Sequence, residues 1–428
     1  MTARRRTGGR GIGLVSVGTE PTDGLVRDLS RRRREPEWML RLRLKGARHF
    51  RAGGVPEWAA FLADVDFGAA VEAGARAEPG PMGPGLGALE ESEAAYQGVR
   101  AELDARGIRF LRTDAAVRSH PDLVREVFGQ AIAPDANPFA ALNAALWSGG
   151  TFVHVPSGVD VGVALQAEIR EDYDGVDPFE RTIVVADGGA RVEYIEGCTA
   201  PVYTPDELHV SGIEVFARPG ASVRYVAVQN FAKRIDNLVT KRALVDERAS
   251  VEWVDANLGS RRTWKSPETV LRGPGASVET YGWGLAGPGQ HEDIGGSVLH
   301  EASGTRARIV LRGASHGDGS LVLRPRVFAD PDVRGASAQV DASSLLRGPS
   351  RNETIPVIEL QGSDVDLNVV VGARRLSDDE LGPERDSKDE ALRHAFLAFA
   401  EVVTKRIPFE YAIEVNRLAE LELGGAVG

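Results

Sequence analysis

Gly220-Ala221-Ser222-Val223-Arg224-Tyr225-Val226 opens with a turn-forming glycine and two small residues, then alternates large inward candidates at Val223 and Tyr225. Alternation with a period of two marks a strand with one buried face. The same phrase returns as Gly189-Ala190-Arg191-Val192, Arg248-Ala249-Ser250-Val251, Gly275-Ala276-Ser277-Val278 and Gly335-Ala336-Ser337-Ala338. A worn copy, Gly304-Thr305-Arg306-Ala307, fills the one wide gap, so that successive copies start 27 to 31 residues apart. Self-similarity at a fixed period of this size belongs to stacked repeats. One coil cannot bury its own apolar face, whereas a stack of coils can. The centre of the protein is therefore expected to be a parallel β-helix, with two or three short strands per repeat joined by tight turns.

The totals bound the rest. A chain of 428 residues exceeds a single compact core, although repeats escape that limit. A net charge of -11 and a pI near 5.4 argue against nucleic acid as a partner, because phosphate binding needs a basic face. The longest apolar runs, around 140–147 and 396–403, fall short of the roughly 20 residues a membrane helix needs, so no membrane span is expected. The arginines of residues 1–13 have no apolar stretch behind them and read as a tail, not a secretory signal. A single cysteine precludes an internal disulfide and points to a cytoplasmic protein.

Four segments follow: a flexible basic tail (1–22), an N-terminal helical region (23–148), the β-helix (149–375) and a C-terminal helical region (376–428). In the first helical region, Asp23 to Phe50 has helical spacing with a restart at Glu35-Pro36-Glu37, and Arg31 to Arg34 reads as a solvated face. Residues 77–87 form a Gly/Pro/Ala linker. Helices are expected over 94–106 and 120–128, the latter capped by Ser119 or Asp122 around Pro121. Near the end, Ser387-Lys388-Asp389-Glu390 reads as a capping box for a helix with Leu392, Ala395, Phe396, Phe399, Val402 and Val403 inward. Pro408 starts a last helix with Phe409, Ala412, Ile413, Leu418 and Leu421 on its apolar side. Such a pair can close the stack or bind a partner, and both readings stay open on pattern alone.

Several phrases together resemble a known family. They are Glu35-Pro36-Glu37-Trp38-Met39-Leu40, Phe179-Glu180-Arg181-Thr182, Glu196-Gly197-Cys198-Thr199-Ala200-Pro201, Asn237-Leu238-Val239-Thr240-Lys241-Arg242-Ala243, Glu252-Trp253-Val254-Asp255, Gly289-Gln290-His291 and the ending from Ile407-Pro408-Phe409-Glu410-Tyr411. The combination resembles the SufB/SufD family of the SUF iron–sulfur cluster assembly machinery, and the first and fourth phrases favour its SufB branch. The resemblance implies a mainly β protein, a right-handed parallel β-helix flanked by N- and C-terminal helical regions, acting as an assembly scaffold. It implies persulfide sulfur from a cysteine desulfurase, a SufC-like ABC-type ATPase, and a SufD-like subunit or a self-pairing homodimer. Because the family's C-terminal helices dock the ATPase, Phe396, Phe399, Pro408 and Tyr411 become candidate partner contacts.

Read alone, Cys198 is a small buried hydrophobe placed just after a strand, since reactivity needs a lowered pKa. By resemblance it is the sulfur acceptor, whose attack on a donor persulfide leaves an S–SH group on Cys198. Arg170 and Lys241 fall where the family places cations along the sulfur path; the alternative is surface ion pairing. The departures are equally specific. Where the family carries a second cysteine the chain reads Val340-Asp341-Ala342-Ser343, and where it carries a His-Glu pair the chain has Val369 and Val370. Asp341 offers one oxygen ligand at most, whereas iron–sulfur clusters are held chiefly by thiolates. The resemblance thus implies a specialised paralogue that takes sulfur but lacks a ligand set for an iron–sulfur cluster of its own; flavin binding stays open. A rival reading is a structural subunit without chemistry. His291, His300 and His316 lie in successive coils and are candidate metal ligands, without the usual spacing of such a site.

Overall fold

The structure, a computed structural model, describes residues 20–53, 57–77, 101–170, 179–199, 207–377 and 385–423. Its repeat is set by a turn. Gly189, Gly220, Gly275, Gly304 and Gly335 all hold φ between 61° and 72°, and Arg248 takes the same place at φ 54°. The left-handed conformation is demanded by the turn, and the arginine accepts strain that glycine avoids. The next residue in four copies, Ala190, Ala221, Ala249 or Ala276, is buried and closes the turn by donating its N–H to the carbonyl three residues back. In the worn copy the same place holds Thr305, also buried, whose hydroxyl donates to the Ala302 carbonyl.

From these turns run the strands Leu165–Arg170, Arg191–Thr199, Ser222–Phe231, Ser250–Gly259, Ser277–Ala286, Arg306–Ser315, Ala336–Arg347 and Val365–Leu376, which form one parallel eight-stranded sheet in chain order. A facing eleven-stranded sheet takes the alternate strands, from Thr151–Val155 and Phe179–Ala186 to Ser320–Ala329 and the short pieces beyond. The coil is therefore mostly two strands deep. One strand was not foreseen: Arg109–Arg112 pairs antiparallel with Thr151–Val155 and covers the first edge. In-register stacking lines the interior with like residues, such as Val192, Val223, Val251 and Val278.

The N-terminal helices lie on the outside of the eleven-stranded sheet, where Phe139 and Leu142 of Pro138–Leu146 meet Phe179, Val210, Leu238 and Trp264. As the restart at Glu35-Pro36-Glu37 implies, Asp23–Arg32 and Glu37–Ala52 are separate helices, with Pro36 at the cap of the second. Several local expectations change here. Arg33 is not a solvated residue: its guanidinium is buried and donates to the carbonyls of Trp147 (2.6 Å) and Ala77 (2.7 Å). Pro121–Val127 is capped by His120 without a side-chain bond, because Ser119 belongs to the preceding helix Thr113–Ser119. Most of the expected 94–106 helix and the 78–87 part of the linker lie outside the described residues.

The C-terminal helices Arg385–Thr404 and Phe409–Leu423 lie on the outside of the eight-stranded sheet. The first begins before Ser387, which therefore sits within the helix and not at its cap. The second meets expectation only in part, since Ala412 and Leu418 pack on the core but Phe409, Ile413 and Leu421 do not turn inward. Val415, Ala419 and Glu422 face inward, while Phe409 is 75% exposed and Ile413 51%.

Candidate functional site

Period-two alternation along Arg191–Thr199 puts Val192, Tyr194, Glu196 and Cys198 on the inward face, so Cys198 is part of the strand and not beyond it. Register stacks Tyr194 under Tyr225 and Trp253, Glu196 under Ala227 and Asp255, and Cys198 under Gln229 and Asn257. The opposite sheet contributes Glu180, Thr182, His209, Lys241, Thr263, Lys265 and Glu292 to the same interior. Glu180, Glu196, Cys198, His209, Lys241, Asp255, Lys265 and Glu292 are each no more than 8% exposed. A β-helix that is apolar elsewhere thus contains a polar chamber. Toward the last coils it is closed by Ile294, Leu311, Leu321 and Leu323, packed so closely that a Cβ on Gly284 would stand 3.1 Å from Ile294 and one on Gly313 would overlap Leu321.

Within the chamber, Lys241 Nζ binds Asp255 Oδ1 at 2.5 Å and lies 4.8 Å from the Tyr225 ring centre and 5.6 Å from that of Trp253. Lys265 Nζ stands 3.7 Å from the same aspartate oxygen. Thr182 donates to Glu196 Oε1 at 3.3 Å. A chain of bonds then crosses between the sheets. His209 Nε2 faces Glu180 Oε2 at 3.2 Å, and its Nδ1 faces Asn237 Oδ1 at 2.8 Å. Asn237 donates to Gln229 Oε1 at 2.6 Å, and Gln229 donates to Thr263 Oγ1 at 3.0 Å. Gln229 is the register neighbour of Cys198, so this network forms one wall beside the sulfur. Asp255 Oδ2 and Asn257 Oδ1 are buried with no hydrogen-bond partner among the described residues. Unsatisfied buried acceptors are costly and rare in native interiors.

Burial pushes the Cys198 thiol well above its ordinary range and the Glu196 carboxylate pushes it further, while Lys265 and, more weakly, Lys241 pull it down. Burial likewise raises Glu196, against the pull of Lys241, and lowers Lys265. Burial thus favours the protonated thiol at Cys198, against the pull of the two lysines. The site favours a sulfur anion only when a proton leaves and a lysine takes up the charge.

The other candidates are placed as follows. Lys241 is ion-paired, but in the interior and not on the surface. Arg170 ends its strand with its backbone paired to Thr199, while Ile169 is level with Cys198. Asp341 is held by Arg312 at 2.7 and 2.8 Å, which keeps its carboxyl below the usual range. Val370 is 56% exposed on the edge strand Val365–Leu376. Phe396 is fully buried against its own sheet, Phe399, Pro408 and Tyr411 are half-buried, and the apolar side chains free to meet a partner are Phe409 and Ile413.

The histidines do not stack. His291 and His300 are the two ends of one strand, His291 packs on Phe61 and His300 pairs with Thr305 Oγ1 at 2.7 Å. No three potential metal ligands converge among the described residues. Burial instead pushes His300 from 6.5 to about 4. The unfolded chain takes up that proton first as pH falls, so the stability due to neutral His300 is present above pH 6.5 and lost towards pH 4, by about 3 kcal/mol. Urea unfolding at pH 7 and pH 4.5 should show a smaller acid loss in His300→Gln than in the wild type. Equal losses would contradict this account.

Composition and motif reading passed over Glu196, Asp255, Lys265, His209 and Glu292 as functional groups. Their signal was parity: Val192-Tyr194-Glu196-Cys198 and Val251-Trp253-Asp255-Asn257 carry an apolar inward pattern straight into charged and polar positions.

With this geometry in place, comparison with known proteins is informative. The family profile described as "SUF system FeS cluster assembly, SufBD core domain" matches residues 170–381, a span that holds the chamber. The iron-sulfur cluster assembly protein SufB of Bacillus subtilis is 36% identical over 95% of this chain and 94% of its own length. Iron-sulfur cluster assembly SufBD family proteins of Staphylococcus haemolyticus and Staphylococcus aureus are each 36% identical over the same shares. None of the described helices is long and apolar enough to cross a membrane.

Proposed function

The chain belongs to the SufB/SufD family of SUF-system iron–sulfur cluster assembly proteins, and from that premise we propose that it accepts sulfur on Cys198 and surrenders it without building a cluster itself. The observation that carries this reading is the position of Cys198: its side chain faces a buried chamber with two lysines, and it is the one thiol in the sequence. The step balances without an outside oxidant. The Cys198 thiolate attacks the outer sulfur of a donor persulfide, an S–S bond forms on Cys198, and the donor leaves as a thiol after taking the proton that Cys198 gave up. One thiolate cannot supply the ligands of an iron–sulfur cluster, and Asp341 is committed to Arg312. The apolar closure above the chamber also favours delivery near the Cys198 end over travel along the interior to the last coils.

Partners fit the remaining surfaces. An ATPase of the SufC type would meet the exposed Phe409 and Ile413, and a SufD-like subunit or a second copy would extend the edge strand Val365–Leu376. The setting would be the cytosol. Incubation with a cysteine desulfurase and radiolabelled cysteine should leave label on the wild type under non-reducing conditions and none on Cys198→Ser. Equal labelling of both would dismiss the proposal.

A further inference from the structure

Two lysines serve one aspartate, and they are not equivalent. Lys241 is spent on Asp255 at 2.5 Å and on the rings of Tyr225 and Trp253. Lys265 occupies an inward position between Val239 and Ile294, its side chain is 4% exposed, and its one ion pair among the described residues, at 3.7 Å, is longer than a hydrogen bond. An ammonium carries three donors, and no hydrogen bond among the described residues uses those of Lys265, which leaves them open to a group that arrives. The carboxylates nearby do not fill that role. Asp255 already binds Lys241, Thr182 donates to Glu196, and Glu292, whose carboxyl burial raises well above its usual range, forms no ion pair with Lys265 among the described residues.

We propose that Lys265 is the anion-holding residue of the chamber, its free ammonium taking the sulfur anion formed on Cys198 while Lys241 stays with Asp255. The assignment rests on the sulfur-acceptor reading and names the group that makes the buried thiol usable. Its ligand class is a small soft anion, hydrosulfide-like or a cysteine persulfide. In support, Lys265 acts on Cys198 more strongly than Lys241 does.

The test reads Cys198 directly. Alkylation by iodoacetamide, followed by peptide mass spectrometry across pH, reports thiolate without any sulfur donor. Lys265→Met should move the profile to higher pH and slow alkylation about tenfold at a given pH for each unit moved, and Lys265→Arg should restore most of it. Lys265→Met should also fall at least several-fold in desulfurase-dependent labelling while melting no lower than the wild type, because it removes an unpaired buried charge. An unchanged alkylation profile in Lys265→Met, with a wild type that takes up sulfur, overturns the Lys265 assignment alone. A wild type that takes up no sulfur overturns the acceptor reading on which it rests. If Lys265→Met melts well below the wild type, Lys265 is a structural group and the assignment fails.

Discussion

Glu214→Ala is expected to destabilise the protein by at least about 3–5 kcal/mol, the usual consequence of stripping one partner from a buried ion pair. Arg181 and Glu214 are both fully buried and meet at 2.6 Å. Glu214 also accepts from the backbone amides of Gly129 (2.8 Å), Ala131 (2.8 Å) and Ile132 (2.9 Å). Arg181 in turn reaches Asn143 Oδ1 and the Ile132 carbonyl and lies over the Phe128 ring. One carboxylate thus ties the loop after Pro121–Val127 to two strands of the β-helix. Removing it leaves a guanidinium without a counter-charge and three amides without acceptors. Urea unfolding should show the loss, and limited proteolysis should find the 120–140 region newly open. A change under about 1 kcal/mol would mean that this joint does not hold the helices to the stack.

Asp255→Ala should have effects of opposite sign on stability and on chemistry. It leaves Lys241 and Lys265 buried without the one carboxylate that forms an ion pair with each of them, a loss of about 3–5 kcal/mol at neutral pH. The loss should shrink on raising pH. Burial already holds Lys265 below its ordinary value, so between that value and about 10.4 the unfolded chain binds the extra proton and alkali favours the folded state. At the same time both ammonium groups lose their competitor for the sulfur, and Cys198 should alkylate faster than in the wild type at any given pH. Denaturation compared at pH 7 and pH 9.5, with alkylation rates alongside, checks both signs. Slower alkylation would contradict the view that the lysines act on Cys198.

How far the sequence carried this picture depends on the kind of force involved. The β-helix was legible because a repeated turn with a left-handed residue leaves a repeated phrase, and even Arg248 keeps the alanine after it. The position of Cys198 on the inward face follows from counting alternate residues only once the strand is known to run to Thr199, whereas the sequence placed it just after the strand. Its raised thiol was not legible, since the burial that raises it, and the fields of Lys265, Glu180 and Lys241 that act on it beside that of Glu196, come from strands that only meet in three dimensions. The last helix was misread for a definite reason. Its apolar residues Phe409 and Ile413 would by pattern turn inward, but the buried side is taken by Val415 and Ala419 together with Glu422, which binds Lys233 at 2.9 Å. The same holds for Arg33 and Arg43, which lie buried because their guanidinium groups satisfy carbonyls near the end of Pro138–Leu146, including those of Ala145 and Trp147. Of these only Arg33 was read along the chain as solvated, and its charge is spent on backbone carbonyls inside.

Native mass spectrometry after anaerobic incubation with a cysteine desulfurase, cysteine and ferrous iron tests the central claim most directly. The account predicts a chain heavier by a single sulfur atom, removable by a reducing thiol, with no iron retained. A chain that stays at its starting mass, or one that alone retains iron together with sulfide, would contradict it.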